Sequence, residues 1–420
     1  MRIDFSYDWV EPFEIDDTSL IGVYAPKRFD EIPDQQEVIL DGIANPIGSG
    51  RLRDEVGDAQ SILILADDVS RPTPVARILP HVLDELAAAG KRDDQIQFLM
   101  SLGTHRDMTP AEIDAKLGAG IRDRFAVYNH RWDDPWRMTC LGTSSVGTPI
   151  QVNNMVTEAD FVIGIGNIVP HPAAGFAGGG KIVDPGCVSD ETCGAFHWES
   201  VKYPAREVVG KRDNPMLAMI DEIAAKAGLK YIFNTVMDAE NNIVRLVAGH
   251  PVEAHTVGCE AAVAVYGVQI PRPADIVICD SHPADLEMWQ GIKGLCTADL
   301  CMADGGVVIM ATPCPEGASE EHPELERYGY RNFEETEALI EQGLVSMVVG
   351  HHLVQGGRLI DRAEKVILVS KHMSRELVER LNYSYAETMA EAIAEARRLK
   401  GEAASVTVLQ CAAELFPVVG

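Results

Sequence analysis

The chain of 420 residues is short of positive charge: 36 Lys and Arg stand against 64 Asp and Glu, a net of −28. That balance excludes nucleic acid and anionic membrane surfaces as partners, since both would be repelled. It also means that an anionic small molecule would need arginine or lysine gathered locally at its site. No uninterrupted apolar run approaches the ~20 residues of a membrane-spanning helix. Met1 to Trp9 lack both a basic stretch and an apolar one, so no secretory signal is expected. The nine cysteines are odd in number, scattered and free of Cys-x-x-Cys. Reduced thiols in a cytoplasmic protein are the expectation, not a disulfide framework or a zinc ribbon. The histidines have no His-x-x-x-His metal spacing. No Gly-x-Gly-x-x-Gly opens a helix, since Gly164-x-Gly166 runs into prolines, which counts against a nicotinamide dinucleotide. Internal repeats and low-complexity segments are absent as well.

What is present is alternation. Apolar runs at Ser61 to Ala66, Ile96 to Leu102, Phe125 to Tyr128, Phe161 to Ile165 and Lys230 to Val236 read as buried strands. Helical patterns at Ala76 to Ala89, after Pro110, at Met216 to Ala227 and at Val252 to Val265 lie between and after them. Pro271-Arg272-Pro273 reads as a linker. Beyond it, strands at Ile276 to Cys279, Val307 to Ala311, Ser346 to Val349, Val366 to Ser370 and Val406 to Leu409 alternate with helices such as Phe333 to Gln342 and Ala386 to Leu399. The pattern predicts an α/β protein of two domains, 1–270 and 274–420, each with a largely parallel sheet.

Chemistry-bearing residues follow the elements. The stretch from Asn167 to Lys181 delivers His171 between two prolines, then Gly178-Gly179-Gly180-Lys181. Side-chain-free backbone can approach a ligand closely, and its N–H groups can form an anion-binding concavity. Asp68 and Arg71 follow the first strand, ahead of a helix start read at Ser70 and Pro72; His105 follows the second. Gln290 and Lys293 are expected after a strand of the second domain. Polar groups at the carboxyl ends of α/β strands converge on ligands, and a cleft between domains is the usual place. Each has a plainer reading: Asp68 and Arg71 as a helix-capping salt bridge, Lys293 as a turn lysine, His197 as a stacked structural ring beside Phe196 and Trp198. His351 and His352, before Gln355-Gly356-Gly357, read as mostly structural.

The full set, Asp68-x-x-Arg71-Pro-Thr-Pro, Gly103-Thr104-His105, His171-Pro, Gly-Gly-x-Lys181, His197 and Gln290-x-x-Lys293, resembles the nickel-pincer lactate racemase family in order and separation across nearly the whole chain. The resemblance implies an active-site cleft between two α/β domains. It also implies a nickel-pincer nucleotide, a pyridinium mononucleotide whose thioacid groups clamp nickel. Carried over, Lys181 would attach the cofactor through a thioamide, with Asp68, Gly178 and Gly179 near it. His197 would be the nickel ligand, and His105 and His171 the acid/base pair. Arg71, Gln290 and Lys293 would hold the substrate. Trp289 before Gln290 departs from the family pattern.

Such a set suits racemisation of a 2-hydroxy acid. Removing the α-hydrogen as hydride while a base takes the hydroxyl proton gives a planar 2-keto acid, and hydride can return to either face. The enantiomers present hydroxyls on opposite sides, so two histidines are needed. Cofactor-synthesis proteins are the implied partners. Competing readings are an NAD-dependent dehydrogenase or dehydratase of a hydroxy or sugar acid, and a non-catalytic nickel-cofactor carrier. Which 2-hydroxy acid is bound depends on a distal pocket, for which Trp289, Trp198 and the Leu353 region are the expected walls.

Overall fold

A computed structural model, which describes residues 1–27 and 32–420, contains two six-stranded sheets. Across the first sheet the strands run Ile243–Gly249, Leu229–Met237, Phe161–Asn167, Ile62–Asp67, Ile96–Ser101 and Ala126–Asn129. All are parallel except the edge strand Ile243–Gly249. Every residue of Ile62–Asp67 is buried. Leu63 and Leu65 enter the core on one face, and Ile62, Ile64 and Ala66 the core on the other. Helices cover both faces, so a parallel strand reads as a continuous apolar run with no polar alternation.

From Ile62–Asp67 the chain builds outward through the next two strands, then returns to its other side with Phe161–Asn167. The connections on the two sides of this central pair diverge, which opens a crevice beyond the carboxyl ends.

The second sheet is wholly parallel: Ser384–Ala386, Lys365–Ser370, Met302–Thr312, Ala274–Asp280, Val406–Leu409 and Leu20–Tyr24. Its last strand comes from the start of the chain. Ile3, Phe5, Tyr7, Val10, Phe13 and Ile15 share one core with Val406 and Val408. The first 24 residues thus side with the second sheet, although position in the sequence had grouped them with residues 1–270. This sheet has its own switch point, between Ala274–Asp280 and Val406–Leu409, and it is plugged. Asp280 accepts the N–H groups of Cys411 at 3.1 Å and Ala412 at 2.9 Å.

Some local expectations change. Ser346–Val349 is no strand; Ser346 caps a helix, Met347–Arg362, by accepting the Val349 N–H. The helix expected from Ser70 begins at Val75 and runs to Ala88. Asp68 folds the preceding residues into a turn of their own by accepting the Ser70 N–H at 2.8 Å. Gln290 and Lys293 follow no strand directly; they lie in the first turns of the helix Met288–Cys301. The last helix is Met389–Lys400, with Ser384–Ala386 a strand before it. Among the described residues no helix is long and apolar enough to cross a membrane.

Candidate active site

The loop after Ile62–Asp67 is held from beneath by Lys116. That residue is buried on the helix Pro110–Leu117, which Thr109 and Glu112 cap reciprocally. Lys116 Nζ pairs with Asp67 at 2.6 Å and donates to the carbonyls of Asp68 at 2.9 Å and Arg71 at 2.8 Å. Asp68 is thereby aimed at the next strand's loop, where His105 Nδ1 donates to its Oδ2 at 2.6 Å. Burial alone would raise the Asp68 carboxyl; the charge and hydrogen bond of His105, with Arg71, outweigh it and hold the group well below the usual range. Asp68 and Arg71 are therefore no helix cap.

His171 is presented differently. Pro170–His171 pairs antiparallel with Gly175–Phe176, and His171 Nδ1 takes the Ala173 N–H at 3.2 Å. Its Nε2 lies 3.5 Å from Lys181 Nζ. Burial, then the charges of Lys181, Lys293 and Arg71, push its pKa well below the ordinary value. Lys181 sits on the short 3-10 turn Gly179–Ile182. Burial and then Arg71 push its amine down to about 8. The glycines before it serve close packing. A Cβ on Gly179, at φ 57°, would meet the His255 ring at 2.7 Å, and its N–H is taken by Asn234 Oδ1 at 2.7 Å.

The helix Asp190–Ser200 carries His197. Its Nδ1–H donates to the Cys193 carbonyl at 2.7 Å, which leaves Nε2 as a lone pair. Burial, then Lys181, push His197 down to about 4, so the ring is neutral at pH 7. From the second domain, Lys293 Nζ donates to Gln290 Oε1 at 2.7 Å. Burial, with Arg71 and Lys181 nearby, drives the Lys293 pKa well down. Trp289 is sandwiched between His322 and His352, ring centroids 4.0 and 3.9 Å away.

One cavity of about 170 Å³ collects these groups. Asp68, Arg71, His105, His171, Gly178, Lys181, His197, Gln290 and Lys293 all line it; Gly179 does not. It lies outside the carboxyl ends of the first sheet's central pair and is closed by helices Met288–Cys301 and Met347–Arg362 of the second domain.

Two family models match the chain in tandem: the lactate racemase N-terminal domain over residues 8–208 and the lactate racemase C-terminal domain over residues 270–414. The lactate racemase of Thermoanaerobacterium thermosaccharolyticum is 32% identical over 312 residues, 73% of this chain and 72% of that protein. The chain belongs to the lactate racemase family. It is accordingly an isomerase of the racemase class. The lactate racemase of Lactiplantibacillus plantarum is 28% identical over 419 residues, 97% of this chain and 98% of that protein. The solved lactate racemase apoprotein from T. thermosaccharolyticum superposes with a TM-score of 0.89 at 28% identity, covering both chains fully. A Thermotoga maritima protein shares the fold, with a TM-score of 0.73 at 21% identity over 94% of this chain and all of its own.

For a member of the lactate racemase family the donor set is informative. Among the described residues no three His, Cys, Asp or Glu side chains cluster to hold a metal ion. His197, whose Nδ1–H is taken by the Cys193 carbonyl and whose Nε2 lone pair is left open, fits a metal that brings its other ligands with it. Asn167 Nδ2, on the cavity wall, is buried without a partner among the described residues, a donor suited to an oxygen of the group that carries the metal. The residues fit the cofactor.

Sequence reasoning missed several cavity residues. Asn167 and Asn234 hide inside strands, where a lone amide within an apolar run was the available signal. His351, read from the sequence as mostly structural, lines the cavity and donates from Nδ1 to the His197 carbonyl at 2.9 Å. Trp289 does form a wall, whereas Trp198 stacks on Phe333 at 5.1 Å outside the cavity lining and Leu353 is core; its neighbours His352 and Gln355 face the site instead.

Proposed function

We propose that this racemase inverts C2 of a 2-hydroxy acid, lactate being the substrate named for its relatives, with a nickel-pincer nucleotide attached at Lys181 and its nickel held by His197. When bound, that cofactor supplies a hydride acceptor for the α-hydrogen. The chain does the rest. The Arg71 guanidinium, with no carboxylate in hydrogen-bond reach among the described residues, offers a bidentate fork to the substrate carboxylate. Lys293 and Gln290 take neighbouring oxygens. His105 holds the hydroxyl proton of one enantiomer and His171 that of the other. The helices of the second domain keep water from the reacting carbon.

The observation that carries this reading is that two histidines with different supporting partners line the same cavity as Lys181 and His197. Cofactor-loaded protein given single enantiomers of a 2-hydroxy acid panel should racemise at least one. Loss of nickel from His197→Ala, with Lys181 still carrying the nucleotide by intact mass, is the expected companion result. A loaded chain that inverts no member of the panel would remove the proposal.

A further inference from the structure

His197 lies in the last turn of the helix Asp190–Ser200. The last four carbonyls of a helix have no partner within it and must find donors elsewhere. The Val201 N–H, which would continue the coil onto the His197 carbonyl, goes to the Glu199 carbonyl instead. Ser200 Oγ and His351 Nδ1 take its place, donating to the His197 carbonyl at 2.7 and 2.9 Å. The carbonyls of Val201 and Tyr203 beyond it both accept from the Arg358 guanidinium, the second at 3.2 Å. His351 and Arg358 stand seven residues apart on the second-domain helix Met347–Arg362, two turns apart on one face. A guanidinium is also the charge that a helix C-terminus favours. The two helices approach closely: a Cβ on Gly194 would meet Met347 Cβ at 3.1 Å. Rings complete the grip. His351 packs edge-on to His197, centroids 4.9 Å apart at 66°, and Trp198 stacks on Phe333 of the second domain.

We propose that His351 and Arg358 are positioning residues for His197: the second domain caps the end of the helix that carries it, and so fixes the direction of its Nε2 lone pair. The inference rests on the nickel ligation at His197 put forward above. A lone imidazole places a metal only as well as its own ring is held. The His197 ring is tied to its own helix through the Nδ1 bond to the Cys193 carbonyl, so it follows the last turn. That turn ends on three carbonyls, of His197, Val201 and Tyr203, each taking a donor from the second domain. Without those donors the turn frays and the ring moves with it.

The test challenges cofactor-loaded protein with excess EDTA, following bound nickel by metal analysis and the Lys181 adduct by intact-protein mass. His351→Phe keeps a packed ring and removes the donor, so nickel should leave about tenfold faster with the adduct intact, the scale expected for a partner that orients a metal ligand. His351→Asn, whose amide N–H stands where Nδ1–H stood, should lose nickel within about threefold of the wild-type rate. Arg358, which does not line the main cavity, acts only through the helix end. Arg358→Gln should therefore also lose nickel faster, by about threefold to tenfold. A wild-type rate in His351→Phe overturns the proposal, and a merely structural contact gives that result: a lowered Tm with nickel loss unmoved. Fast loss in His351→Phe with a wild-type rate in Arg358→Gln overturns it too, since His351 would then act on the cavity directly. Where His351→Phe does not fold, the Arg358→Gln rate decides alone, fast for the proposal and wild-type against it. A His197→Ala chain that holds nickel as firmly as wild type refutes the ligand itself, a result distinct from the others.

Discussion

His105 and His171 face one cavity from two loops of the same sheet, yet their supports are opposite. Behind His105 stands a carboxylate that takes its Nδ1–H; behind His171 stands a backbone N–H that occupies Nδ1, with the Lys181 amine beyond Nε2. Both rings are partly exposed; the first is partnered by a carboxylate, the second stands among cations. Under the mechanism proposed above, two groups with mirror-image duties need no mirror-image surroundings. Lys181 contributes to the asymmetry, standing as a cation beside His171 and not beside His105.

Breaking the pair outright should have the largest effect. His105→Ala and His171→Ala are each expected to lower kcat/KM by about 10²–10⁴, read by chiral chromatography from both enantiomers. Because racemisation has an equilibrium constant of one, the loss must be equal in the two directions, and unequal losses would mean another reaction is being measured. Asp68→Asn leaves the His105 ring in place but removes the acceptor that orients it, for an expected loss near 100-fold in kcat with KM little changed. Lys116→Met loosens the loop that presents both Asp68 and Arg71 while leaving His171 untouched. KM should rise about tenfold, and the unpaired buried Asp67 should lower stability by about 3–5 kcal/mol in urea unfolding.

Smaller effects sharpen the contrast. Lys181→Gln should raise the His171 pKa toward its ordinary value, since a positive neighbour is removed, as read from the His171 resonances in an NMR titration. Stability should fall in two separate windows as acid is added. His171 has a folded pKa depressed below 6.5, so its contribution is present above that value and is lost as pH falls through and below it. Asp68 is depressed below 3.8, so its contribution persists to about that pH and is lost beneath it. Tm against pH for His171→Ala and Asp68→Asn should each lack one of the two descents.

Much of the fold was legible because the central strands are long apolar runs closed by turn residues, as at Ile62–Asp67 and Phe161–Asn167. Ser346–Val349 misled because three apolar residues in a row carry no period, and only the histidines and glycines after them continue the helical face. Some of the residues that line the cavity, His105 and His171 among them, announced themselves through their loops. The residues that hold them did not. A lysine in the last turn of a short helix reads as solvated, yet Lys116 is buried against three acceptors. An aspartate beside an arginine reads as a cap, while its partner, His105, lies 37 residues away. Such pairings are set by which loops the sheet brings side by side, and that is a property of the assembled sheet.

The strand Leu20–Tyr24 carries a consequence for biogenesis. It pairs with Val406–Leu409, across nearly the whole length of the polypeptide, so during synthesis it must wait for almost every later residue before it meets its neighbour. Residues 3–15 wait with it, their apolar side chains uncovered until the sheet beneath them exists. The half of the enzyme whose helices close the cavity is thus the last to mature.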